Sequence, residues 1–412
     1  MVFIAVIMLV KSLAGLFALK IQVTLLLPAS FAVLSQFMTI SGLVVNISSA
    51  AITAGMTVLL ARADATARIR QLIRTGEIYS AGLSATISIV CVILFFFGAD
   101  VINIKPLPQY LYLLLAVSPW LITKSSIAQA RLTSSYQLNR YTKLSSVSSS
   151  IASLLIVVLT FYFGLSGSAL AVIIGPIFAA IILLAYVPNE IEKSVTNDSL
   201  DIKSNDIYEL FRFSAAMLFA VFAVPLSQIL VRGNMVDAGA AAHAGFWSAS
   251  VRLSDVYMQF FGLLLTFYIL PNIASKTKSN DSNKVFFHFL GRLSVLAVLV
   301  LFIVYALREI IIALILAPEF VSVTGLMKTQ LLGDFCRIIL SFFFWFSYGQ
   351  NLRMLAVVEE ALQGGLFYAL YLINQNSNFA ERAVQAHFYA SFINMIVTGA
   401  ILLLIISKRR KH

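Results

Sequence analysis

The sequence predicts an all-α polytopic membrane protein of about 12 transmembrane helices with both termini in the cytoplasm. Three observations predict it. The chain of 412 residues is 60% hydrophobic and 11% charged, with a mean hydropathy of +0.92, whereas a soluble domain is roughly 45–50% apolar and about 25% charged. Apolar runs of the length that spans a bilayer, about 20 residues as a helix, recur from one end to the other. The charges fall in short breaks between those runs, and the basic ones alternate from side to side.

Twelve runs can be placed in order: 2–26, 32–61, 77–99, 107–128, 144–164, 167–187, 207–231, 243–270, 286–306, 323–347, 354–374 and 383–406. The first, MVFIAVIMLVK, has no basic leader segment and no small-residue cleavage site after it, so it reads as a spanning helix rather than a signal peptide. The fifth and sixth are separated only by GLSGS (164–168). The piece IIIALILAP (310–318) is too short to span and reads as re-entrant or interfacial.

Orientation follows from the excess of basic residues on cytoplasmic loops. With both termini inside, twenty basic residues lie on the cytoplasmic side against four outside, Lys105, Arg232, Arg308 and Arg382. The inside set includes Arg62, Arg68, Arg70 and Arg74 after the second run, and Lys408, Arg409, Arg410 and Lys411 in the tail. The longest polar interruption, PNEIEKSVTNDSLDIKSND (188–206), lies near mid-chain. It divides the sequence into an N-terminal six-helix lobe (1–188), a cytoplasmic linker (189–206) and a C-terminal six-helix lobe (207–412). A faint internal echo, PASF (28–31) and HAGF (243–246), each opening the second run of its lobe, fits a transporter with related halves.

Several runs carry polar residues at spacings of three and four, which keep side chains on one helix face. The eighth run aligns Ser248, Arg252, Asp255 and Gln259. The tenth aligns Gln330, Asp334, Arg337 and Ser341. The second aligns Ser35, Thr39, Asn46 and Ser49, with Gln36 beside them. The fifth opens on SSVSSSIAS (145–153), serines that favour close helix packing over ligand binding. Faces of this kind point at one another or at a water-filled cavity, because charge at the bilayer centre costs ~2.5–3.5 kcal/mol. Two readings stay open. Arg252–Asp255 and Asp334–Arg337 could be self-neutralising i,i+3 pairs that join helices. Alternatively the arginines line a central cavity and meet an anionic substrate, each oriented by its aspartate. Lys11 has no acidic neighbour in its run, so its ammonium needs a partner on another helix, a substrate, or a path to the interface.

The net charge of +11 does not indicate nucleic acid once the basic residues are placed in membrane-flanking loops. Cys91 and Cys336 sit in apolar runs and read as small buried hydrophobes. The four histidines show no ligand spacing, so no metal and no cofactor is expected. No phosphate-binding G-x-x-x-x-G-K-[ST] loop occurs, which argues against ATP-driven transport by this chain alone. No HExxH, CxxC or GxSxG motif occurs, and the outer loops are too short for an extracytoplasmic catalytic domain. A transporter is therefore expected rather than an enzyme.

Several pieces in order resemble a known family: LVKSLAGLFALK (9–20), PASFAVLSQF (28–37), AGFWSASVRLSDVYMQFFGLLLTFYILPNIAS (244–275), LREIIIALILAPEF (307–320) and QLLGDFCRIILSFFFW (330–345). The chain is similar to the Wzx-type lipid-linked oligosaccharide flippases, particularly the O-antigen and enterobacterial-common-antigen branch. That branch belongs to the multidrug/oligosaccharidyl-lipid/polysaccharide exporter superfamily, with the MATE exporters and the lipid II flippase MurJ. PASF departs from the Gly-Pro-Ala-Gly usual in the branch.

The resemblance implies two six-helix bundles in a V around a central cationic cavity, in the bacterial inner membrane. It implies a cargo of undecaprenyl-diphosphate-linked glycan repeat units, moved from the cytoplasmic to the periplasmic leaflet for surface polysaccharide synthesis. A polysaccharide polymerase and a chain-length regulator are the further partners expected. On this reading Lys11, Arg252 and Arg337 bind the diphosphate, since arginine suits bidentate phosphate contact. Asp255 and Asp334 support them or couple transport to protons or cations. Gln36, Thr39, Asn46, Ser248 and Gln259 face the sugar. The alternatives are a MATE-like drug or cation exporter and, from another class, a membrane polysaccharide polymerase or glycosyltransferase.

Overall fold

The computed structural model describes residues 2–61, 66–97, 106–134, 138–187, 204–265, 282–350, 352–376 and 378–409. Among them the order is α1 (Val2–Leu25), α2 (Pro28–Ala61), α3 (Thr66–Phe97), α4 (Tyr110–Ser134), α5 (Leu138–Tyr186), α6 (Ser204–Asp237), α7 (Ala241–Leu264), α8 (Ser282–Ala306), α9 (Arg308–Ile315), a 3₁₀ turn at Pro318–Phe320, α10 (Val323–Gly349), α11 (Arg353–Ile373) and α12 (Phe379–Arg409). Among the described residues each apolar run of the sequence lies on a helix, and no strand occurs. Eight of the segments are long and apolar enough to cross a membrane. The protein is an all-helical polytopic membrane protein.

The fifth and sixth runs form one element broken in the middle. Gly164 in α5 takes φ 55° and ψ −131°, outside the helical region, a conformation glycine adopts without the Cβ clash other residues meet. The short piece after α8 is α9 and its 3₁₀ turn, as its length required. The expected mid-chain linker falls mostly on 188–203, outside the described residues, and α6 already begins at Ser204.

The chain forms two compact units, Met1–Leu25 with Val33–Phe222, and Leu26–Ala32 with Ala223–His412. In the first, α1 and α4 pack on α5, and α3 packs on α4. Its best-defined core joins Ile52 and Met56 of α2, Leu72 of α3, Ile127 and Ala130 of α4 and Leu210 of α6. A bidentate pair closes one end: Arg68 of α3 donates to both carboxylate oxygens of Asp206 of α6, each at 2.6 Å.

In the second unit α10 is the central helix, packed by α7, α8, α9, α11 and α12. The spanning part of α10 is 61% buried, against 17% for α8. The apolar α8 turns Val295, Val298 and Phe302 outward, as a lipid-facing helix should, while the more polar α10 is enclosed. The core of this unit joins Trp247, Phe367, Tyr371 and Val384 with Ala32 from the start of α2. Phe320 of the 3₁₀ turn meets both Phe31, at 5.7 Å, and Phe246, at 6.0 Å, edge to face. The two echoing tetrapeptides thus touch. A Cβ on Gly245 would lie 2.0 Å from the Pro28 carbonyl oxygen, so only glycine permits this approach.

Candidate functional site

The second unit holds a buried polar network built by α7, α10, α11 and α12. Asp334 of α10 is 3% exposed. Its Oδ2 accepts from the hydroxyls of Ser254, at 2.6 Å, and Tyr257, both on α7. Its Oδ1 accepts from Gln330 Nε2 at 3.0 Å, one helical turn back, and faces His387 Nε2 of α12 at 3.1 Å. The imidazole tautomer with the proton on Nε2 donates there. Four donors around one carboxyl satisfy both oxygens, which a buried carboxylate requires. Gly333 makes room for the fourth. A Cβ at this position would lie 2.5 Å from His387 Cδ2.

This arrangement corrects the expected Asp334–Arg337 pair. Arg337 turns from Asp334 to Glu360 of α11, and its Nη2 sits 2.8 Å from both Glu360 oxygens. The i,i+3 spacing made the self-pair possible, but Asp334 is taken by hydroxyl, amide and imidazole groups, and Glu360 offers a guanidinium-sized partner across the helix interface. Nη1 of Arg337 and both carboxyl oxygens of the neighbouring Glu359 are buried without a hydrogen-bond partner. Below them α12 presents Ser391, Asn394 and Thr398 at successive turns. Gln363 donates to Ser391 at 2.9 Å, and Asn394 donates to Gln363 Oε1 at 3.1 Å and to the Glu359 carbonyl at 3.0 Å.

The Arg252–Asp255 pair is present, with Nη1 3.2 Å from Oδ2. It differs in kind from Arg337–Glu360. The side chains of Arg252 and Asp255 are 28% and 44% exposed, against 18% and 12% for the other pair. Arg252 is held at a longer distance, by one contact rather than two, and its side chain is the more exposed of the two arginines. Of its stripe, Ser248 is buried and accepts from Arg232 Nε at 2.9 Å, and Gln259 is exposed.

Arg232, expected in an outer loop, is instead 2% exposed within α6. Its guanidinium also lies 5.2 Å from the Trp247 ring, where an aromatic face replaces part of the lost hydration. Histidine spacing gives no hint of His387, and the polar stripes singled out above do not include Glu359, Glu360 or the α12 residues. The signal was there: His387, Ser391, Asn394 and Thr398 follow at intervals of four, three and four in an otherwise apolar run.

The remaining expected residues lie in the first unit. Thr39 donates to the Ser35 carbonyl at 2.9 Å, Gln36 is buried and Asn46 is exposed. The backbone of Lys11 belongs to α1, but its side chain lies outside the described residues. On the same helix Gln22 donates to Ser168 of α5 at 2.7 Å, a packing contact. Cys91 and Cys336 are free and buried. The SSVSSS serines contribute to a cavity of about 200 Å³ between α2, α4 and α5.

A family model described as polysaccharide biosynthesis protein matches residues 1–275. The lipid III flippases of Escherichia coli (strain K12) and Shigella flexneri are each 25% identical over 130 residues, covering 32% of this chain and 31% of theirs. The match therefore spans under a third of those relatives' length. Among solved structures, an inward-facing multidrug resistance MATE family transporter of the MOP superfamily shares the fold, with a TM-score of 0.75 at 11% identity over 97% of this chain and 96% of that one. The lipid II flippase MurJ in an inward closed conformation gives 0.73 at 14% identity over 97% and 87%.

Proposed function

This chain belongs to the polysaccharide biosynthesis protein family, and from that membership we propose that it is a flippase for lipid-linked glycans. Its cargo is an undecaprenyl-diphosphate-linked oligosaccharide, carried from the cytoplasmic to the periplasmic leaflet of the bacterial inner membrane. The product feeds O-antigen or a related surface polysaccharide. The chain itself performs no bond chemistry.

The observation that carries the reading is the state of Arg252. An arginine inside a spanning helix is costly unless it is paired or used. Arg337 is enclosed and bonded to Glu360 through Nη2. Arg252 is paired at 3.2 Å with a partly exposed Asp255, and its own side chain is also partly exposed. A diphosphate supplies the acceptors that would complete it, replacing its hydration with charge-assisted hydrogen bonds. Asp255 sets the orientation and gives way or shares when the anion arrives. The polar sugar travels against neutral hydroxyl and amide groups, and the polyprenyl tail stays in hydrocarbon. Lys11 is the second cation assigned to the anion on sequence grounds.

The test is translocation of a radiolabelled lipid-linked unit in vesicles. Arg252→Ala removes an ion pair partner from the substrate, and flux should fall at least about tenfold, since losing one charged hydrogen-bonding group costs ~1.5–3 kcal/mol. Arg252→Lys keeps the charge but not the fork and should recover part of it. Undiminished flux with Arg252→Ala overturns the assignment.

The likeness to a multidrug MATE transporter favours one second reading, a drug or cation exporter. It predicts drug resistance in a sensitised strain expressing the protein and no translocation of the lipid-linked unit.

A further inference from the structure

The cavity in the first unit has a composition that suits one ligand class. It encloses about 200 Å³ between α2, α4 and the two halves of α5, and no charged residue lines it. The lining mixes apolar groups, Pro176 and Leu183 among them, with the hydroxyls of Ser125, Ser126, Ser148 and Ser149 and with Tyr141 and Gln129.

The serine protons are already committed. Ser125 and Ser126 both donate to the Ile122 carbonyl at 2.8 Å. Ser148 donates to Leu144 and Ser149 to Ser145, again at 2.8 Å. Tyr141 is engaged with Ser145 and Gln129. A hydroxyl has one proton and two lone pairs, so four oxygens whose protons point into their own helices offer acceptor capacity to the cavity. A phosphate or carboxylate brings only acceptors and finds no cation. A ligand that donates through several hydroxyls and carries an apolar ring face fits both parts of this lining. The volume is below the ~300–1,000 Å³ of pockets for drug-sized ligands and suits a single ring.

We propose that this cavity is a sugar subsite that takes one pyranose ring of the glycan through its hydroxyl donors. The inference rests on the flippase reading for the origin of the sugar, but not for the binding itself. The site lies beside Arg140 and Lys143, the end of the helices that the basic-residue bias assigns to the cytoplasm. A sugar on a lipid carrier in that leaflet would meet it before crossing.

The experiment is saturation-transfer NMR on the full protein in nanodiscs with a panel of methyl pyranosides as probes, run beside the vesicle translocation assay. The wild-type protein should show saturation transfer to at least one pyranoside. Ser149→Leu fills the cavity and should reduce that signal about tenfold. The double change Ser148→Ala with Ser149→Ala removes two acceptors without adding bulk. It should weaken binding several-fold at an unchanged melting temperature, and it decides the matter if the leucine variant does not fold. Absent pyranoside binding in a protein that translocates lipid-linked glycan overturns the subsite and leaves the flippase reading intact. So does binding that ignores the double change. Pyranoside binding that follows these substitutions, in a protein that translocates no lipid-linked glycan, upholds the subsite and overturns the flippase reading.

Discussion

The two units manage polarity inside a membrane in opposite ways. The first builds a cavity from hydroxyl and amide groups with no charge on its walls, and its Arg68–Asp206 pair sits at a helix end with Arg68 34% exposed. The second encloses ionic groups: Asp334 among four donors, Arg337 against Glu360, Arg232 under Trp247. Neutral hydroxyls are inexpensive to bury because each can bond the carbonyl a turn behind it, so a helix can carry many of them. Charges need dedicated partners on other helices. On the proposed reading, the hydroxyl cavity of the first unit suits the sugar and Arg252 of the second suits the diphosphate.

The sharpest way to break this contrast is at Arg337–Glu360. Removing one partner of a buried pair costs ~3–5 kcal/mol. Glu360→Gln should therefore lower the melting temperature of the detergent-solubilised protein by many degrees, with Arg337→Met together with Glu360→Met recovering most of the loss. If Glu360→Gln melts like the wild type, the pair is not holding the unit together. Next comes Arg252→Ala, whose effect should appear in flux and not in stability. A drop in melting temperature comparable to that of Glu360→Gln would place Arg252 among the structural pairs. Third, Gly333→Ala should push His387 off Asp334 and cost ~1–3 kcal/mol, the penalty for one buried acceptor left short of a donor. Asp334→Leu, which removes the acceptor itself, reads on the same network by thermal melt. The smallest effect belongs to the first unit: Asp206→Asn breaks a bidentate pair whose arginine is 34% exposed and should cost about 1–2 kcal/mol. A loss as large as that at Glu360 would erase the distinction between the units.

Much of the fold was legible because lipid imposes a simple rule. Backbone groups in hydrocarbon must be satisfied within the segment, so each apolar run had to be a helix. GLSGS and the IIIALILAP piece were visible as irregularities for the same reason, one carrying the glycine of a reversal and the other too short to span. Partner choice was not legible. The spacing of Asp334 and Arg337 permits a self-pair as readily as two partners on other helices. Only the approach of α12 through Gly333, and of Glu360 on α11, decides between them. Arg232 misled in the same manner, since a charge near the end of a run reads as a loop until Trp247 and Ser248 are seen around it. The Arg252–Asp255 pair was legible because both members lie within one turn and no stronger partner competes. The serines of α5 were read as packing residues. Periodicity can show that hydroxyls share a face, but not that the face opposite leaves a ring-sized space.

The contact between Gly245 and Pro28 also sets an order of events during synthesis. The residues concerned are roughly 217 positions apart in the chain, and ribosomes add about 5–20 residues per second. The start of α2 therefore leaves the ribosome on the order of ten to forty seconds before the helix that will press against its carbonyl exists. Residues 26–32 belong to the second unit, so this stretch cannot complete its native packing as it enters the bilayer. It has to be kept from pairing elsewhere until α7, and after it Phe320, arrive. Maturation of this protein is then a matter of late closure: a pulse-labelled chain halted before α7 should stay protease-sensitive at Pro28–Phe31, and the completed chain should not.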